Sequence, residues 1–382
     1  MKLKKVCSDL ASQEEAPKRL EFTACRDADK CMDTFLPLLA SSGVQDILLR
    51  TDFLTSMSED NVLKFFRALG ELVHLEVLII QSSSRFHIES IPPSGLLSLR
   101  NAKRLRRLGL EDMQVTAMHK GFISGLGMAL HSHATLQELT MTNFFANDWA
   151  NTDPDVLDAL VLDLTTVPNL QRLELSGCGS HALCGQDVRL LSPSALIKVV
   201  SIPTLEHLQL SFLELDDHHF EAMASVLKNN NSLRTISLDY HKLESIGFCH
   251  MMQAMQTNVT VKTLSLRSLQ DIGNEGFQKA MSMLQLNYAI ENLSVTASPY
   301  QQAQIDLYLR MNGAGRGLLR EPTASMSQWV DILAKCSDDL DVVRHLLQEI
   351  PGLCNAAALA GNAENTTTTS TIDRSTTTAA AS

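Results

Sequence analysis

Four clusters in the chain carry side chains with known reactive roles. Asp216-Asp217-His218-His219 pairs carboxylates with imidazoles, a donor set that suits a metal ion. Cys178 and Cys184, with His181 between them, offer an activated thiol or a redox pair. Gly313-Ala-Gly315-Arg-Gly317 has glycine spacing that would cradle a phosphate. Arg100-Asn-Ala-Lys-Arg-Leu-Arg-Arg107 holds five basic residues in eight, a match for an acidic partner or a phosphate. Each cluster also has a structural reading. Neighbours at a helix start point in different directions, and Asp217 is wanted there as the cap. Cys178 falls at a turn position that buries its side chain. The glycine run lacks the preceding strand and the Gly-Lys-Ser/Thr ending of a phosphate loop, so it reads as a linker. The basic run contains Leu105, a core position, and straddles the start of a strand. His131 and His133 fall in a helix-to-strand link. No carboxylate pair sits at a spacing that points to general acid–base work.

Those assignments depend on the elements that hold the residues, and these are set by an internal repeat. Leu-x-x-Leu-x-Leu or a close variant recurs at Val44/Ile47/Leu49, Leu75/Leu78/Ile80, Leu105/Leu108/Leu110, Leu136/Leu139/Met141 and Leu170/Leu173/Leu175. It continues at Leu205/Leu208/Leu210, Leu233/Ile236/Leu238, Val261/Leu264/Leu266 and Ile290/Leu293/Val295, and Leu20/Phe22 form a degenerate first strand. From first position to first position the steps are 31, 30, 31, 34, 35, 28, 28 and 29 residues. Within each strand the last two apolar positions share a side, and the residues between them face the other way. After each strand comes apolar spacing of helical period, as in Phe220, Met223, Ala224 and Leu227, or Phe277, Ala280, Met281 and Leu284. Asp153-Pro154, Ser192-Pro193, Asp217 and Ser298-Pro299 read as helix starts. One such unit cannot bury both of its apolar faces, but a stack can, and each sealed leucine contributes roughly 1.5–3 kcal/mol. A helix between successive strands makes the sheet parallel. The expected fold class is α/β: a leucine-rich repeat solenoid, with a curved parallel sheet, convex helices and a helical C-terminal cap.

On these motifs, residues 44–296 resemble the ribonuclease-inhibitor-like class of leucine-rich repeat proteins, with units of about 28–29 residues. That class usually places Asn or Cys in the turn three residues after the strand. Here the turn holds Ser83, Met113, Phe144, Cys178, Leu213, His241 and Leu269, so the amide ladder is nearly absent and an irregular curve is expected. Residues 1–43 are expected to form an N-terminal cap with a helix around Met32–Ala40, and residues 44–297 the repeats. Residues 298–355 read as a helical cap over the last strand's edge, with helices from Pro299 to Met311, Ser327 to Lys335 and Ser337 to Glu349. This last segment is similar to the C-terminal part of leucine-rich repeat proteins of diatoms and related algae, a likeness that implies no activity. Residues 356–382 are Ala/Thr/Ser-rich and expected to be disordered.

Composition narrows the function. A net charge of −11 argues against general nucleic-acid binding, which needs a basic surface. With only 5% aromatic residues, the core should be aliphatic. Ser12, Glu14, Glu15 and Pro17 interrupt the N-terminus too early for a secretory leader. No apolar run is long enough to cross a membrane. The eight cysteines form no C-x-x-C pair and read as reduced thiols, which fits a cytoplasmic or nuclear location.

The expectation is a non-enzymatic module without cofactor or metal, binding an unidentified protein rather than a nucleic acid, a membrane or a small-molecule substrate. The two longest steps insert the loops 143–153 and 177–192 in consecutive units, which places them on one rim. Phe145, Trp149 and His181 lie there, and large aromatics anchor interfaces. On the inner sheet face, Arg107, Glu138, Arg172, Glu174 and His207 lead a polar surface of mixed sign. That surface suits recognition of a protein or stands as a solvated wall. The alternative, a GTPase-activating regulator, follows from the repeat type shared with Ran GTPase-activating proteins. The Thr/Ala-rich tail, where that family has an acidic one, weighs against it.

Overall fold

The computed structural model describes residues 18–82, 91–116, 119–145, 155–177, 191–267, 271–321 and 323–349. By contacts the chain divides into two compact units, one ending at Ile305 and the other starting at Asp306. The first unit is a ten-stranded sheet in strict sequence order. Its strands are β1 (Arg19–Phe22), β2 (Asp46–Arg50), β3 (Val77–Gln81), β4 (Arg107–Glu111) and β5 (Glu138–Phe145), then β6 (Arg172–Gly177), β7 (His207–Ser211), β8 (Thr235–Asp239), β9 (Thr263–Leu266) and β10 (Asn292–Val295). Each pairs in parallel with the next. This is the leucine-rich repeat solenoid that the repeat requires.

Register follows the motif. Leu78 pairs with Leu108, then Leu139, Leu173, Leu208, Ile236, Leu264 and Leu293 follow in one row. The row is buried throughout, as is the Leu, Val or Ile that opens each motif from Val44 to Ile290. Helices lie between strands: α1 (Ala28–Ser41), α2 (Glu59–Glu71), α3 (Pro93–Leu97), α4 (Lys120–Leu130), α5 (Asp155–Leu164), α6 (Pro193–Val200), α7 (Asp217–Leu227), α8 (Ser245–Met255) and α9 (Gly273–Leu286). Helix α7 buries Phe220, Met223, Ala224 and Leu227 as its spacing demands. In α9 the buried set is Phe277, Ala280, Met283 and Leu284; Met283, one helical turn beyond Ala280, takes the place expected for Met281. Between α2 and the turn after α3 the backbones nearly touch, since a Cβ on Gly70 would overlap the carbonyl oxygen of Ser98.

The core is not aliphatic everywhere. Phe22, Phe35, Phe53, Phe65 and Phe66 are fully buried around β1 and β2. Their ring centroids lie 5.1–6.5 Å apart, mostly edge to face. The scarce aromatics are thus concentrated at the first repeats.

Turns are held by a ladder that sits before the strands rather than after them. Asn230, Asn258 and Asn287 recur at the repeat spacing, three residues ahead of Leu233, Val261 and Ile290. The side-chain oxygen of Asn258 accepts from the amides of Thr260 (3.0 Å) and Val261 (2.9 Å). Its amide group donates to the carbonyls of Leu227 (2.7 Å) and Asn230 (3.1 Å) in the preceding repeat. Asn287 repeats the arrangement one unit on. After β8, His241 takes the turn position that asparagine usually holds. Its Nε2 lies 3.0 Å from the Leu210 carbonyl, and its Nδ1 accepts from the Leu213 amide at 3.4 Å.

The second unit includes the C-terminal part of α10 (Pro299–Ala314), then α11 (Met326–Lys335) and α12 (Leu340–Glu349). Its core joins Met311, Trp329, Ile332, Cys336, Val342 and Leu346. Ser325 and Gln328 form a reciprocal cap at the start of α11. The glycine run is not a linker from Asn312 onward, because α10 continues through Asn312, Gly313 and Ala314. Only Gly315 breaks it, at φ 112°, a conformation that a side chain would strain. The last helix starts at Leu340 rather than Ser337, and Asp339 accepts from the Val342 amide as its cap.

Candidate functional site

The strand residues between the buried leucines form an open face arranged in register rows. Arg107, Glu138, Arg172, His207, Thr235 and Thr263 make one row. Gly109, Thr140, Glu174, Gln209, Ser237 and Ser265 make the next. Adjacent strands lie roughly 4.8 Å apart, so neighbours in a row interact directly.

Charge alternates along the first row. Arg107 approaches Glu138 at 3.7 Å, a solvent-exposed ion pair that holds geometry more than it adds stability. Glu174 accepts a 3.1 Å hydrogen bond from Gln209. Burial pushes its carboxyl above the usual range, while Arg172 and Arg107 pull the other way. Burial likewise holds His207 below its ordinary value, helped by the charge of Arg172. The five open-face positions named from the sequence therefore do lie on adjacent strands, and they influence one another electrically.

The strand phase also places Thr140, Gln209, Thr235, Ser237, Thr263 and Ser265 on this face, but it missed the apolar end at β2 and β3. Leu48, Val77 and Ile79 are half-buried apolar residues at the equivalent positions of β2 and β3. Beside Ile79 the face dips at Gly109, where a Cβ would lie 3.2 Å from the Thr140 hydroxyl and 3.3 Å from Ile79. The hydroxyl of Thr140 is buried and has no hydrogen-bond partner among the described residues. The face thus runs from apolar at β2–β3, through mixed charge at β4–β7, to Ser, Thr and Asp239 at β8–β9. The missed signal was the apolar residue between motif leucines in the first copies.

The rim is different from the expectation. Phe145 is not an exposed loop residue but the end of β5, fully buried against Phe144 at 4.9 Å between centroids. A register shift between Met141 and Phe145 turns the strand so that both phenylalanines pack inward. Trp149, His181, Cys178, Cys184 and Asp153 lie outside the described residues. The acidic–histidine cluster is a helix cap, with Asp216 rather than Asp217 at the cap position. Asp216 accepts from the His219 amide, and His219 returns the bond to the Asp216 amide. Asp217 instead accepts from the Glu244 amide of the next repeat at 2.9 Å. His131 faces Asp163 at 2.9 Å, and His133 is buried with Nε2 3.3 Å from the Leu99 carbonyl. In the basic run, the charged side chains are exposed around buried Ala102 and Leu105, and only Arg107 joins the open-face row.

A cavity of about 360 Å³ opens near the starts of α8 and α9. Phe248, Leu266 and Ile272 line it together with Glu244, Asp271 and Glu275, and its wall carries no histidine, cysteine, lysine or arginine among the described residues. Among the described residues no group of three His, Cys, Asp or Glu is arranged to hold a metal ion. No described helix is long and apolar enough to cross a membrane.

No family model matches the chain, and no curated protein sequence matches it. Among solved structures it is similar to a protein from Bacteroides fragilis at 13% identity and TM-score 0.43, over 76% of this chain and 77% of that one. It is also similar to the C-terminal domain of Caenorhabditis elegans tropomodulin at 11% identity and TM-score 0.33, over 52% of this chain and 97% of that one. Actin-binding site 2 of leiomodin-1 is similar at 16% identity and TM-score 0.30, over 36% of this chain and 86% of that one. Likenesses at this level add nothing to the strand order seen directly.

Proposed function

We propose that this chain is a non-enzymatic interaction module that binds a partner protein through the open face of its sheet. One observation carries the reading. Arg107, Glu138, Arg172, Glu174 and His207 lie on four adjacent strands of a continuous ladder, exposed or half-exposed and mixed in sign, with their backbone positions fixed by the register. A backbone held this way needs no ordering on binding, and alternating charge selects a complementary surface. In this reading residues 44–297 are the binding repeats, and 1–43 and 298–355 are the end segments of the array. The reading places the chain in the cytoplasm or nucleus, where its eight cysteines, none in a C-x-x-C pair, would stay reduced.

The test is affinity capture from a native extract with mass spectrometry, comparing the wild type with Glu138→Arg/Arg172→Glu. The double variant exchanges two neighbouring charges and leaves the net charge unchanged. Loss of a specific partner, with an unchanged melting curve, is expected. A partner retained in full by the folded double variant would refute the open face as the site.

A further inference from the structure

The position that follows the five paired residues of a repeat puts a non-glycine residue in the left-handed region several times: Asp112 (φ 58°), Asn143 (φ 49°, at the register shift inside β5), Phe212 (φ 55°) and Tyr240 (φ 64°). These positions are equivalent, since Glu111 pairs with Thr142 and Ser211 with Asp239 just before them. Three of the amides do the same work: that of Asp112 donates to the Thr142 carbonyl, that of Phe212 to Asp239 and that of Tyr240 to Arg267. Aspartate and asparagine tolerate this backbone, whereas a bulky aromatic there is an outlier. The turn therefore does not ask for a ring, yet two consecutive repeats of the later array supply one at the cost of strain. Strain of this kind collects where a side chain must be held for a purpose.

The strain brings Phe212 and Tyr240 into a stack, 4.7 Å between centroids and 9° from parallel. Arg267, from the next repeat, sets its guanidinium carbon 5.7 Å from the Tyr240 centroid. Three successive repeats thus contribute one group each. Tyr240 stays 37% exposed, and the Arg267 side chain 53%. With its faces engaged by Phe212 and Arg267, what Tyr240 offers to water is its ring edge and hydroxyl. A ring edge is the positive side of the aromatic quadrupole, the hydroxyl donates, and the guanidinium is cationic.

Asp239 offsets much of the guanidinium charge, so what the spot offers outward is a set of oriented hydrogen-bond donors rather than a strong cationic field. That aspartate is 4% exposed, and both its oxygens are occupied. Oδ1 accepts from the Ser265 hydroxyl at 2.6 Å and the Arg267 amide at 2.9 Å. Oδ2 accepts from the Ser237 hydroxyl at 3.0 Å, and from Arg267 Nη2 at 2.8 Å and Nε at 3.3 Å. Arg267 is thereby fixed in place, while its Nη1 makes no hydrogen bond among the described residues. The nearby pair Lys242–Glu214, at 3.2 Å, balances itself.

We infer that Phe212, Tyr240 and Arg267 form a docking spot for an acidic, apolar-flanked peptide segment of the partner protein, with a carboxylate on Arg267 and the Tyr240 hydroxyl. The inference deepens the proposed interaction function and rests on it, but it places the contact at the strand-end rim of β7–β9 rather than on the charged rows of β4–β7.

The probe is a short fluorescein-labelled peptide of alternating Glu and Leu, with Gln–Leu and Lys–Leu counterparts, titrated into the full chain by fluorescence anisotropy. Saturable binding of the Glu–Leu peptide is expected, weakened about tenfold or more by Tyr240→Asn and by replacing Glu with Gln. Tyr240→Asn suits the backbone because asparagine already stands there at residue 143, so its melting curve should match the wild type. Phe212→Asn serves as the second variant if it does not, with the same loss expected. Glu138→Arg/Arg172→Glu should bind the peptide as the wild type does, which separates this spot from the open face. Equal binding by a folded ring-less variant, a preference for the Lys–Leu or Gln–Leu peptide, or no saturable Glu–Leu binding would each overturn the docking spot, without touching the open-face capture result.

Discussion

His241 should make the repeat array pH-sensitive well above the carboxylate range. The imidazole is 6% exposed and ties two repeats together, with Nε2 at the Leu210 carbonyl and Nδ1 accepting from the Leu213 amide. Only the neutral ring, with its proton on Nε2, can make both bonds. Burial is the main reason its pKa falls from the ordinary 6.5 to about 4; the Leu210 hydrogen bond and Asp239 pull it back only partly, and His219 adds to the fall. The unfolded chain therefore binds a proton that the folded one refuses. Stability from this group is complete above the unfolded pKa and is lost as pH falls from 6.5 toward 4. The full interval is worth roughly 3 kcal/mol, of which about 2 kcal/mol falls between pH 7 and pH 5. Asp239 is not titrating in that window, because hydrogen bonds from Arg267 and Ser265 outweigh its burial and hold its carboxyl below the usual range. His133 and His207, both lowered by burial, act in the same direction, so a variant must isolate His241. His241→Asn keeps a donor and an acceptor without a titrating group. Urea unfolding followed by circular dichroism should show the wild type losing about 2 kcal/mol more than His241→Asn between pH 7 and pH 5. Parallel pH profiles for the two proteins would refute the assignment of this sensitivity to His241.

Three further outcomes follow from packing and the turn ladder. Asn258→Ala leaves the amides of Thr260 and Val261 without their acceptor and takes one of two hydrogen bonds from each of the Leu227 and Asn230 carbonyls, and should cost about 2 kcal/mol in urea unfolding; a loss under about 0.5 kcal/mol would mean water replaces the side chain. Gly70→Ala drives a methyl into the Ser98 carbonyl and should lower stability by about 2 kcal/mol, whereas an unshifted melting curve would show that the two backbones separate freely. Phe145→Ala removes a fully buried ring and should cost about 3 kcal/mol, while a variant as stable as the wild type would return Phe145 to the surface.

The contrast between Phe145 and the open-face residues shows where a repeat can be read directly. Arg107, Glu138, Arg172, Glu174 and His207 were placed correctly relative to one another because strand neighbours are sequence neighbours one period apart. A leucine repeat then sets register, and register sets which side chains share a face. Phe145 broke that logic: the register shift in β5 turned it inward, and no periodic signal marks such a shift. Asn230, Asn258 and Asn287 stand at the repeat spacing, but their role rests on carbonyls of the preceding repeat, which spacing alone does not bring within reach.

The apolar clock in the chain was enough to dictate a parallel ladder with its strands in chain order, since no other arrangement buries every motif leucine. Helix starts such as Ser192, whose side chain accepts from the Ala195 amide, were equally local and equally readable. Whatever depends on the backbone of an adjacent repeat needed the assembled stack. His241 serving carbonyl and amide groups of the preceding turn, Asp217 binding Glu244 across a repeat, and Phe212 meeting Tyr240 in a strained turn are all of this kind. Their partners lie about one period away in sequence but at angles that only packed turns define, and short polar contacts depend on those angles far more steeply than the burial of a leucine does.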